Sequence, residues 1–168
     1  MSISMYQVSV PVMQRRMRQV IGLLEKAEAH CTAKKIEPEV LINARLYPDM
    51  FPLRRQIQIA ANMAKGAAAR LSGSEVPGSQ DTDKTFADLK ARLQDAIDYL
   101  GTFKPEQIDG TENKDIELTI GGQPAKLKGQ MYLLNFAFAH FNFHTVTTYD
   151  ILRHNGVEIG KRDWLGTF

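Results

Sequence analysis

A chain of 168 residues, 43% hydrophobic and 24% charged, has room for one domain with a sizeable core and hardly for two; that domain is placed at residues 1–168. Lys+Arg 21 against Asp+Glu 19 leaves a formal charge of +2, too small an excess to argue for a phosphate-binding surface, so nucleic acid is not expected as a partner. One cysteine excludes an internal disulfide and every multi-cysteine zinc pattern. No apolar run approaches the ~20 residues of a membrane span, and the first residues lack the basic-then-apolar order of a signal peptide, so a cytoplasmic location is expected.

The first helix is predicted from about Ser4 to Lys34, with Val8, Val12, Val20, Leu23, Leu24 and Ala27 recurring at three and four residues opposite a basic face of Arg15, Arg16 and Arg18. Pro11 either kinks it or marks its true first turn. A short helical turn opens at Glu37-Pro38-Glu39, and Tyr47–Pro52 is a two-proline break in which Asp49 suits a cap for the next helix. That second helix runs from Pro52 to about Leu71 on a stripe of Ile57, Ala60, Ala61, Ala64, Ala68 and Leu71, and Ser72-Gly73 stops it.

A Gly, Ser and Pro-rich surface loop follows to Asp81. The third helix starts at Asp83-Lys84-Thr85, repeats Phe86, Leu89, Leu93, Ile97 and Leu100, and closes at Gly101. Asp115–Ile120 and Ala125–Lys128 alternate about Gly121-Gly122, a strong hairpin signal. The last helix, Gly129 to His154, is apolar nearly all round, with Phe136, Phe138, Phe141 and Phe143. Three partner helices cover only part of such a circumference, so a second subunit is expected on the remainder. The fold class is therefore all-α: a four-helix bundle with a small β-hairpin between helices three and four.

His140 and His144, four residues apart, share one face of the last helix with Leu133, Ala137, Thr148 and Ile151, and are expected to point inward. Two such nitrogens can reach one metal ion at ~2.0–2.1 Å. The second helix contains no His, Cys, Asp or Glu. It offers Gln56, Gln58 and Asn62, of which Gln58 and Asn62 lie on one face as weak third-ligand candidates or as a buried hydrogen-bonding network. Asp49 reads better as a cap, and Asp150 falls off the histidine stripe. Cys31 beside His30 reads as a small hydrophobe, since adjacent helical residues diverge. Lys161-Arg162-Asp163-Trp164 either clamps an anion or tethers the tail through ion pairs and an aromatic anchor. Arg15, Arg16, Arg18, Arg54 and Arg55 read as solvated faces.

Met5-Tyr6, the segment NARLYPDMFPLRRQIQIA, the Gly, Val and Pro loop after helix two and the run FHTVTTYDILRHNGVEIGKRDWLG together resemble an uncharacterised bacterial branch of the DinB-like superfamily. The resemblance covers essentially the whole chain. It implies an up-down-down-up bundle, commonly a homodimer. Wider members hold zinc or nickel on three histidines, one from helix two and an H-x-x-x-H pair from helix four, and some are thiol-dependent transferases or hydrolases of small molecules. His140 and His144 match the pair, while the helix-two histidine has no match and Gln58 or Asn62 lies nearby. Two functions follow from this. One is a metal-dependent enzyme of transferase or hydrolase type, with a divalent metal as cofactor and a small molecule as substrate. The other is a non-catalytic, dimeric small-molecule-binding or stress-related bundle with a degenerate metal site.

Overall fold

The computed structural model describes residues 3–167; residues 1, 2 and 168 of the expected domain lie outside that range. Helix α1 spans Met5–Lys34. Ser4 caps it by accepting the Gln7 N–H at 3.0 Å, and Asp109, far along the chain, accepts the Tyr6 N–H at 2.8 Å. That carboxylate supplies the positive helix end with the charge its own first turn lacks. Pro11 lies inside the helix with its side chain outward, so it is not the first turn. The buried stripe is carried by Val10, Met13, Met17, Val20, Leu24, Ala27 and Cys31, and Val12 is exposed. Flexible methionines take core positions that β-branched residues were expected to fill. The helix ends on Lys35, held in the left-handed region at φ 56°.

After the short α2 (Pro38–Ile42), α3 spans Leu53–Ser72. Pro52 occupies its capping position and no side chain caps it, so Asp49 is not the cap; it sits three residues too early for its carboxylate to reach the first-turn N–H groups. Ala60, Ala61, Ala64, Ala67 and Ala68 are buried along α3 and let the neighbouring helices 86–101 and 138–154 approach closely. Gly73, at φ 85°, ends the helix. Helix α4 (Phe86–Gly101) opens with a reciprocal cap, the Thr85 hydroxyl on the Asp88 N–H and the Asp88 carboxylate on the Thr85 N–H.

The single turn α5 (Pro105–Ile108) leads to antiparallel strands β1 (Asp115–Ile120) and β2 (Gln123–Lys128), in register from Asp115 opposite Lys128 to Ile120 opposite Gln123. Gly121 and Gly122 both have positive φ, as the tight turn between twisted strands requires. Ile116 and the half-buried Leu118 and Leu127 lay the hairpin on the helical core. Gly129 opens α6 (Gly129–Met131), followed without a break by a π-helical stretch, Tyr132–Ala137, and by α7 (Phe138–His154).

Helices α1, α3, α4 and α7 enclose one core: α3 packs on α7 and α4, and α1 on α4 and α7. The tail forms α8 (Lys161–Leu165) against α1. Trp164 lies under the Arg16 guanidinium, 3.8 Å from its carbon, and edge-on to Tyr149, while Asp163 pairs with Lys26. The tail is thus tethered, and Arg16 is a packing partner rather than part of a solvated face. Among the described residues no helix is long and apolar enough to cross a membrane.

Candidate functional site

The two histidines of α7 sit in different environments. His144 faces α3 and is 9% exposed, whereas His140 is exposed, which corrects the expectation that both point inward. The buried positions from Ala137 onward are Ala137, Phe141, His144, Thr145, Thr147, Thr148, Ile151 and Leu152, and His140 lies on the same side of the helix but one turn earlier, where it is left uncovered. Its ring lies 4.5 Å from that of Phe136, at 30°. The two imidazole centres are 6.3 Å apart at 56°.

Helix α3 meets His144 through Gln56. The amide Nε2 of Gln56 donates to the Phe51 carbonyl at 2.9 Å, which turns its Oε1 toward the imidazole, 2.7 Å from Nδ1. An amide oxygen can only accept, so His144 carries its proton on Nδ1 and donates it to Gln56. Nε2 makes no hydrogen bond to the described residues, and no buried side-chain nitrogen or oxygen among them lacks a partner, so that edge of the ring is not sealed off. Burial first, then the neighbouring His140 and Arg55, push the His144 pKa down to about 4. At neutral pH the ring is uncharged, with its proton fixed on one side and a lone pair available on the other.

Gln58 and Asn62 look the other way. Gln58 donates to Asp83 at 2.8 Å and Asn62 accepts from Arg92 at 3.5 Å. Arg92 also pairs with Asp83 at 2.7 Å and bonds the Gln80 carbonyl. These groups pin the loop before α4 to the bundle, and neither amide reaches the imidazoles. Burial first, then Glu28, push the Cys31 thiol up, in keeping with a packing role.

Residues 5–165 match the family described as Domain of unknown function (DUF1993). The chain belongs to that family. It is also similar, at 34% identity and a TM-score of 0.88, to the solved structure of a DinB family member protein from Shewanella denitrificans, over 97% of this chain and 92% of that one. The DUF1993 chain is therefore DinB-like. No protein of curated function matches it.

Catalytic zinc sites keep three protein donors and one open position. Two imidazoles sharing an ion at ~2.1 Å place their ring centres about 5–6 Å apart, and a small rotation of His140 reaches that. The third donor is what the DUF1993 site does not offer. Gln56 is the α3 residue that meets His144, and its oxygen is already engaged by the His144 proton. No group of three His, Cys, Asp or Glu is assembled among the described residues. The donor set does not fit a tightly held ion. Sequence reasoning saw Gln56 but set Gln58 and Asn62 ahead of it because they share a face; the Phe51 carbonyl that orients Gln56 gives no sequence signal.

Proposed function

We propose that this DUF1993 protein is a single-domain, up-down-down-up four-helix bundle that binds a small molecule at the His144–Gln56 site, with the metal site of the wider superfamily reduced to an imidazole pair. The observation that carries this reading is the 2.7 Å contact between His144 Nδ1 and Gln56 Oε1, at the point where a third strong donor would have to stand. A neutral imidazole so held offers a directed acceptor, Nε2, to an N–H or O–H group of a ligand. His140 on Phe136 provides a flat wall beside it. The same groups do not assemble a nucleophile and base, since the nearest thiol, Cys31, is buried on α1.

The second reading, a metal-dependent transferase or hydrolase, is favoured by one feature. A histidine whose Nδ1–H is bonded to an acceptor is in the tautomer that ligates through Nε2. Elemental analysis of untagged protein separates the two. Less than about a tenth of an equivalent of zinc or nickel, unchanged in His144→Ala, supports the binding module, because two-imidazole sites release metal during purification. Near-stoichiometric metal that disappears in His144→Ala would establish the metalloenzyme reading.

A further inference from the structure

Next to Phe51, the residues leading into α3, its first turn and the segment 81–84 enclose a cleft of about 920 Å3, bordered by Arg45, Arg54, Arg55 and Lys84 and by Asp81 and Asp83. The carboxylates are already matched. Asp83 pairs with Arg92, both side chains largely buried, and Asp81 pairs with Arg55. Arg45, Arg54 and Lys84 have no carboxylate within ion-pair distance among the described residues; the Arg45 guanidinium only reaches the Pro48 carbonyl, at 3.3 Å. Arg54 and Lys84 also border a neighbouring hollow with Glu28, Glu37 and Glu39, of which Glu28 is taken by Lys90 and the other two make no ion pair with them.

Two arginines with no carboxylate partner among the described residues, Arg45 and Arg54, thus border one concave surface beside Lys84, whose charge also acts on Asp88. Arg54 and Arg55 stand in the first turn of a helix that carries no acid there and no side-chain cap, a position where positive charge is disfavoured. A local arrangement that opposes its own helix marks a site kept for something other than stability. The cleft has an apolar wall as well: Phe51 is 54% exposed, and the Arg55 guanidinium carbon lies 5.9 Å from its ring centre.

We propose that this cleft binds a small organic anion, its carboxylate or phosphate held by Arg54 and Arg45 with Lys84 alongside, and its flat apolar part against Phe51. Guanidinium groups suit both anions through paired N–H donors. The cleft goes beyond the His144 site, and its occupancy does not require that site.

Titration calorimetry and backbone NMR with benzoate, phenyl phosphate, inorganic phosphate and benzamide test this at low salt. Saturable millimolar binding of benzoate or phenyl phosphate is expected, about tenfold tighter than benzamide, with shifts at Phe51 and Arg54. The tighter of the two names the acid group; inorganic phosphate is expected to bind more weakly than phenyl phosphate. Arg54→Gln and Arg45→Gln, whose side chains are exposed and whose thermal unfolding is expected to match wild type, each lower the affinity several-fold, whereas His144→Gln lowers it less than either. Absence of saturable binding, equal affinity for benzamide, or loss only in His144→Gln overturns the cleft; the last outcome would leave the His144 site standing.

Discussion

His144 is a buried imidazole whose ordinary tendency to charge near pH 6.5 is suppressed by its surroundings. Because its folded pKa lies below the unfolded one, the unfolded chain takes up the proton first. The stability held by the neutral ring is therefore complete above about pH 6.5 and is lost as pH falls toward 4. Between pH 7 and 4 the wild type is expected to lose on the order of 2 kcal/mol more than His144→Gln; denaturant melts of both proteins at several pH values check this, and parallel curves would contradict it. At the same scale, Gln56→His converts the amide that faces the pair into a third imidazole. Zinc or nickel affinity is expected to rise at least about tenfold over wild type, read by competition with a chromophoric chelator. Gln58→His, on the other side of α3, is expected to leave it unchanged.

The junction between β2 and α6 shows how one element constrains the next. Gly129 N–H donates to the Lys114 carbonyl at 2.8 Å, and a Cβ added at Gly129 would stand 2.0 Å from the Thr111 carbonyl oxygen. Backbone cannot yield as a side-chain tip can, so Gly129→Ala is expected to lower stability by about 2–3 kcal/mol, measured by urea melting, while Gly122→Lys at the open hairpin turn costs only its strained φ. The long helices and the hairpin were legible because apolar spacing and Gly-Gly chemistry are local signals. The start of α4 beside Thr85 was equally local. What escaped the sequence was the contact of Asp109 with the start of α1 and the orientation of Gln56 by a carbonyl, which no local pattern signals; the α5 turn, with Pro105 at its first position, was a local signal left unread. The exposure of His140 escaped as well, because i, i+4 spacing puts it on the face of His144 but says nothing of how far the neighbouring helices reach along α7.

Over the whole molecule, the face of the last helix that the other helices leave open carries Met131, Leu134, Phe143 and Val146, each between 41% and 56% exposed. Their spacing draws a line along the helix beside the exposed His140, and we propose a second copy of the chain as its cover. Light scattering is expected to give a dimer for wild type and a monomer for the pair Leu134→Glu and Phe143→Glu, with helical circular dichroism unchanged; a monomeric wild type would remove the proposal. The α8 seam has a different bearing. Arg15, Arg16, Gln19 and Lys26 are bonded to partners 137 to 152 residues further on. During synthesis those partners are made long after α1, so this flank of the helix waits uncovered until residues 161–167 have followed. A nascent chain halted before Lys161 would already hold α1, α3, α4 and α7, yet leave the Arg16 guanidinium without the Trp164 ring it covers.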